Sequence, residues 1–192
     1  MSQTDLVSLD RLKAAYGLDI PAGSETESVY TVLISAASRA CLRYLGRDIH
    51  LREVTQFIDG NGHDRFVLDE APVVSITSLS IDRERVFATA LDPVAYRVDG
   101  PTGIVTLYQG VVLPDVLDCV KVVYQAGYVT IPEDIEAACV DTIQMMKRRL
   151  AGSSAGVSSR SMPDGGTETL ETTAPTDFAK LLLGQYRRGM AR

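Results

Sequence analysis

The sequence predicts an α+β fold: a small antiparallel helical bundle, an inserted antiparallel β region of sandwich or barrel character, and an extended C-terminal arm ending in a short helix. Three observations carry this prediction. Apolar residues recur at three- to four-residue spacing before Gly46 and again after Pro132. Between His50 and Gln125 the period shortens to two, and Gly and Pro punctuate the runs. After Leu150 the composition shifts to Ser, Thr, Gly and Ala, with Pro163 and Pro175. The chain divides accordingly into N-terminal helices at 1–49, the β insertion at 50–129, a long bundle helix at 130–151, and a flexible arm with a docking helix at 152–192.

Taken in order, Ser8 caps a short helix from Leu9 to Tyr16 that Gly17 ends. Ser24 followed by Glu27 is a capping box. The helix it opens runs to Leu45, with Val29, Val32, Leu33, Ala36, Ala40 and Tyr44 expected on the buried face and Gly46 closing it. Val54 to Ile58 and Arg65 to Leu68 flank Gly60-Asn61-Gly62, a hairpin signal. The run from Val73 to Ile81 changes inward phase near Thr77-Ser78, which predicts a bulge or a strand crossing between sheets. Tyr96 to Val98 and Ile104 to Tyr108 flank a second turn, Gly100-Pro101-Thr102-Gly103. Val120, Val122 and Tyr124 then form the better buried face of a strand. Thr130 and Glu133 read as another capping box, with Pro132 in the first turn. Ile135, Cys139, Thr142, Met146 and Leu150 mark the packed face of the helix that follows, and Gly152 stops it. In the arm, Thr167 to Thr173 is strand-like, and Phe178, Leu181, Leu182 and Tyr186 mark a short amphipathic helix beside Lys180, Arg187, Arg188 and Arg192. A stretch of this length is a linker or a segment that orders on a partner.

Composition excludes several classes. The net charge of −6 and pI near 4.9 argue against a broad basic surface gripping phosphates. No apolar run is long enough to span a bilayer, and the first residues lack the basic and apolar regions of a signal peptide, so no membrane association and a cytosol-like compartment are expected. Cys41, Cys119 and Cys139 fall singly among apolar neighbours and read as buried reduced thiols rather than a disulfide framework or zinc site.

Chemistry has few candidates. Asp59, Asn61, His63, Asp64, Asp69 and Glu70 cluster in sequence, and Asp59, Asn61 and Glu70 occupy the first, third and twelfth positions of a calcium loop. Asp64 stands where that loop requires Gly, and the flanks read as strands, so a solvated turn is the better reading. A small metal-dependent enzyme with a site at Asp59 to Glu70 is the alternative of another class. Gly100-x-x-Gly103 lacks the Lys-Ser or Lys-Thr of a phosphate loop, no Gly-x-Ser-x-Gly elbow occurs, and no catalytic residue, metal or cofactor is assigned. The basic C-terminal helix suits docking on an acidic protein surface.

Four stretches in this order resemble one family. They are Leu9-Asp10-Arg11-Leu12-Lys13-Ala14-Ala15-Tyr16-Gly17-Leu18, and Ala40-Cys41-Leu42-Arg43-Tyr44-Leu45-Gly46-Arg47. Val122-Val123-Tyr124-Gln125-Ala126-Gly127-Tyr128 follows, leading through Ile131-Pro132-Glu133-Asp134-Ile135 to Lys147-Arg148-Arg149, and the last is Leu181-Leu182-Leu183-Gly184-Gln185-Tyr186-Arg187-Arg188. Together they are similar to the head–tail connector (adaptor) family of long-tailed bacteriophages, prophages and gene transfer agents. The larger β insertion sets this chain apart from many relatives.

The resemblance implies a non-enzymatic structural protein of the virion or phage-like particle, assembled in a bacterial cytoplasm. It implies a self-associated ring of twelve copies under the capsid portal protein, with a stopper or tail-side neck protein on the other side. DNA would pass through the channel without sequence-specific binding, along an acidic lining. Val29, Leu33, Ala40, Ile135, Cys139 and Met146 would build the ring and bundle helices. Phe178, Leu181, Leu182, Tyr186, Arg187 and Arg188 would meet the portal. A stopper or tail-completion ring is the nearest alternative.

Overall fold

A computed structural model describes residues 5–151, 159–161, 167–169 and 174–187. The fold is mixed α+β, and the chain forms two compact units, Met1–Asp48 with Ile131–Arg192, and Ile49–Thr130.

The first unit is helical. Its helices are α1 (Leu9–Tyr16), α2 (Glu25–Leu45), α3 (Glu133–Ala151) and α4 (Asp177–Leu183), and a two-stranded antiparallel ribbon joins β7 (Ser159–Ser161) to β8 (Thr167–Thr169). The caps predicted at Ser8 and Ser24 form. Ser8 Oγ accepts from the Arg11 N–H at 3.0 Å and Ser24 Oγ from the Glu27 N–H at 3.1 Å, while the Glu27 carboxylate reaches back to the Gly23 N–H. Gly17 and Gly46 close α1 and α2 in the left-handed conformation that glycine tolerates. α3 starts later than the Thr130 box predicts: Pro132 stands just before its first residue, and the Pro132 carbonyl accepts from the Ile135 and Glu136 N–H groups at 3.0 and 3.1 Å. The stop expected at Gly152 lies outside the described residues.

The buried stripe of α2 is Tyr30, Leu33, Ile34, Ala37, Ser38, Cys41 and Leu45, one position round from the expected face. Only Leu33 of the expected set is fully buried. The cause is the breadth of the apolar arc: Val29, Tyr30, Val32, Leu33 and Ile34 offer two helical stripes, and packing against α3 selects the one that puts the Tyr30 ring and hydroxyl beside Lys147. On α3, Ile135, Ala138, Cys139, Thr142 and Ile143 are buried, but Leu150, expected on that face, is 70% exposed.

The second unit contains two three-stranded antiparallel sheets. One has the order β1 (Arg52–Ile58), β6 (Val120–Ala126), β3 (Val73–Ile81), and the other the order β2 (Arg65–Val67), β5 (Ile104–Leu107), β4 (Tyr96–Asp99). No closed barrel forms among the described strands. Val120, Val122 and Tyr124 from the middle of one sheet and Val105 and Leu107 from the middle of the other belong to one core. The turn at Gly100 to Gly103 makes the predicted hairpin, and of the two register shifts in β3, between Val73 and Ser75 and between Ile76 and Ser78, the second stands where the phase change predicts it.

Gly60-Asn61-Gly62 turns the chain but makes no hairpin, because β1 pairs with β6 and β2 with β5. The reason is long-range. The Gly60 N–H donates to Val116 O at 2.9 Å, and a Cβ on Gly60 would lie 1.5 Å from Pro114 O, so this turn is wedged against the 114–116 segment. Asn61 completes it, accepting from the His63 N–H and donating to Arg65 O.

Candidate assembly interface

The acidic cluster at 59–70 disperses. Asp59 accepts from the Asp118 N–H at 2.8 Å and Glu70 pairs with Arg52 at 3.3 Å; among the described residues no three His, Cys, Asp or Glu side chains gather to hold a metal ion. No described helix is long and apolar enough to cross a membrane. Several large apolar side chains of the helical unit, among them Val29, Val32, Leu150, Phe178 and Leu181, are exposed.

α4 is seated on α3 by its cap. The nearly buried Thr176 hydroxyl donates to the Asp141 carboxylate and accepts from the Ala179 N–H at 3.0 Å. At the other end, Asp134 Oδ2 accepts from Gln185 Nε2 at 2.9 Å and from the Tyr186 hydroxyl at 3.3 Å, and Arg187 lies 5.4 Å over the Tyr44 ring. Ala179 and Leu183 face inward. The predicted stripe therefore points the other way: Phe178 is 54% exposed and Leu181 77%, with Leu182 and Tyr186 half-buried. Arg188 lies outside the described residues.

The second surface is a groove of about 310 Å³ lined by Glu25, Ser28, Val29, Val32, Leu33 and Leu150. Val29 and Val32 are the residues left over by the choice of stripe on α2, and Leu150 is the one left over on α3. Of the other residues expected in ring helices, Ile135 and Cys139 are fully buried in the unit's own core, while Ala40 and Met146 are half-buried. A third concavity of about 350 Å³ lies among Leu12, Tyr16, Leu18, Tyr30, Ile143, Gln144, Lys147 and Arg148. There burial raises the Tyr16 pKa despite a hydrogen bond with Gln144, and Lys147 bonds the Tyr30 hydroxyl while lying 4.9 Å over its ring.

All three cysteines are buried free thiols. The hydrogen bond with Cys41, followed by burial, holds the Cys139 pKa well above the usual thiol value, so this thiol stays protonated. Across these surfaces Val29, Val32, Leu150, Phe178 and Leu181 are exposed apolar groups.

A model of the head completion protein family matches residues 5–188. No curated protein matches the chain. Among solved structures, the chain resembles one in the neck of an empty gene transfer agent (GTA) particle computed with C6 symmetry, at 17% identity and a TM-score of 0.58, covering 97% of this chain and 92% of that one. It also resembles one in the virion of the native GTA particle, at 17% identity and TM-score 0.59, covering 100% and 94%. A third is in the neck of the native GTA particle computed with C12 symmetry, at 18% identity and TM-score 0.53, covering 91% and 94%. At such identities the likeness speaks for the fold.

Proposed function

The chain belongs to the head completion protein family, and from that premise we propose that it is the head–tail adaptor of a tailed phage or a phage-like particle, forming a ring under the portal that extends the DNA channel and joins head to tail. Its role is structural and, in this reading, non-catalytic. The observation that carries it is the family match, which runs across both units from residue 5 to residue 188. The fold likeness to GTA neck and virion chains supports it, as does the cyclic symmetry applied to those necks, since a cyclic ring needs two unlike patches on each copy.

The helices act as a bundle and the two sheets as a sandwich-like platform. In the particle twelve copies surround the channel, and the net charge of −6 on each lets DNA pass without sticking. Val29, with Val32 and Leu150, faces a neighbouring copy, whereas Phe178 and Leu181, flanked by Leu182, Tyr186, Arg187 and Arg188, meet the portal. A stopper or tail-side neck protein occupies the opposite side.

The test is native mass of the full chain, alone and mixed with the portal protein from the same gene cluster. One copy bound per portal subunit is expected. Truncation at Thr167 is a poor probe, because it strips Ala179 and Leu183 from the core. A Phe178→Ser, Leu181→Ser variant removes side chains that are both more than half exposed; it should stay folded with only a small fall in its thermal unfolding midpoint and lose portal binding by about tenfold or more. Binding to a tail-side protein with none to the portal would overturn the adaptor reading in favour of a stopper or tail-completion ring.

A further inference from the structure

The sheet formed by β1, β6 and β3 has two outer strands, and only one is closed. β3 is bulged twice, and its flank is engaged by the Leu91 N–H on Leu79 O at 2.6 Å and by the Val73 N–H on Gly100 O at 2.8 Å. β1 pairs in unbroken register with β6 over seven residues, Arg52↔Ala126 to Ile58↔Val120. It has no bulge and no proline, and no described backbone group bonds its outer edge. Its side chains alternate between exposed and half-buried along its length from Glu53. A long, regular edge of this kind is a template for another strand, and proteins that do not use such an edge block it.

The chain also carries strands that lack a sheet. β7 and β8 form a two-stranded ribbon of three residues each, paired with no other described strand. An isolated ribbon this short is marginal in water and gains most of its stability from a sheet to join. Thr167 and Thr169, β-branched, and Ser159 and Ser161 are compatible with a sheet edge.

We propose that the β7–β8 ribbon of one copy adds to the β1 edge of its neighbour, extending that three-stranded sheet across the subunit boundary. The inference rests on the ring reading above, and the symmetry argument selects the occupant. Pairing of β1 with a second β1 is two-fold and stops at a dimer, whereas a ring needs an edge on one copy to meet a different element on the next. With the β3 flank engaged and β2 and β4 already outer strands of the other three-stranded sheet, the ribbon is the described pair of strands without a larger sheet of its own. Backbone hydrogen bonds supply the affinity in such strand addition, so little side-chain complementarity is required.

The experiment uses full-length chain assembled with the portal and copies bearing two different tags. One copy carries a cysteine on the outward face of β1 (Glu53→Cys, Thr55→Cys or Phe57→Cys in turn), and the other a cysteine on the ribbon (Arg160→Cys or Glu168→Cys). Mild oxidation should link the two tags, and amide exchange over Arg52–Ile58 should slow by about tenfold or more on assembly. A Glu168→Pro variant, which leaves the β unit untouched, should abolish both effects. Linkage between two β1 cysteines overturns the proposal, as does linkage only within a chain carrying both cysteines. An assembled ring whose β1 amides exchange as fast as in the free chain also overturns it, while leaving the adaptor reading standing. Failure to bind the portal at all falls on the adaptor reading instead.

Discussion

The two units are closed by different means. In the helical unit, elements begin and end on signals a few residues away: Ser8, Ser24 and Thr176 at the starts, Gly17 and Gly46 at two of the ends. In the β unit, closure is long-range. Gly60 is wedged against Pro114, Gly127 passes so close to His50 that a Cβ would lie 2.3 Å from its carbonyl oxygen, and the Tyr124 hydroxyl donates to Gln56 Oε1 while accepting from the Glu70 N–H. Local closure leaves a unit free to expose apolar faces for assembly. Closure by distant contacts makes a rigid body whose tolerance for change is small.

The same substitution in both units breaks that comparison most sharply. Gly60→Ala places a methyl 1.5 Å from Pro114 O, and no side-chain motion can relieve a clash with backbone. The expected cost is on the order of 4 kcal/mol or more, enough to unfold the β unit. Gly46→Ala meets nothing within 4 Å and strains only the left-handed cap, for about 1 kcal/mol. Denaturant unfolding followed by amide exchange in each unit checks both, and similar losses at the two sites would refute the distinction.

The contrast also explains what the sequence made legible. The Ser8 and Ser24 caps and the β4–β5 hairpin were readable because their determinants are adjacent, as was the β3 bulge, whose phase shift is written into Val74, Ile76, Leu79 and Ile81. The hairpin inferred at Gly60-Asn61-Gly62 failed because a turn signal does not say which sheet receives the next strand; Pro114 and Val116 decide that from more than fifty positions away. The candidate interface was half legible. Val29, Val32, Leu150, Phe178 and Leu181 were all recognisable as apolar stripe residues, but α2 and α4 each have more apolar positions than one packed face needs. Which stripe turns inward depends on partners such as Lys147, Asp141 and Asp134, which carry no hydrophobic signal.

A smaller effect sharpens the local half of the comparison. Ser24→Ala removes the acceptor for the Glu27 N–H at the start of a 21-residue helix. The expected loss is about 1 kcal/mol, read as a lower unfolding midpoint, with β-unit exchange unchanged. Loss of protection in both units together would show that they unfold as one and that their closure is not separable.

The smallest effect tests whether any part of the β unit is closed locally. The Asp82 carboxylate accepts from the N–H groups of Glu84, Phe87 and Val86, at 2.9, 2.9 and 3.0 Å, and these bonds pull its pKa below the ordinary carboxylate value. They hold a loop in which Arg85 and Phe87 take φ of 61° and 52°, a conformation that is strained for side chains of this size. A depressed folded pKa means that the stabilisation is complete above the unfolded value of about 3.9 and is lost as pH falls through the folded value. Amides of Glu84, Val86 and Phe87 should therefore lose protection in acid before the strands do. Asp82→Asn is the control. That variant keeps an acceptor oxygen but cannot titrate, and it should remove the early acid step. An acid step unchanged by Asp82→Asn would show that the Asp82 carboxylate does not close this loop, and the β unit would then lack the locally closed exception proposed for it.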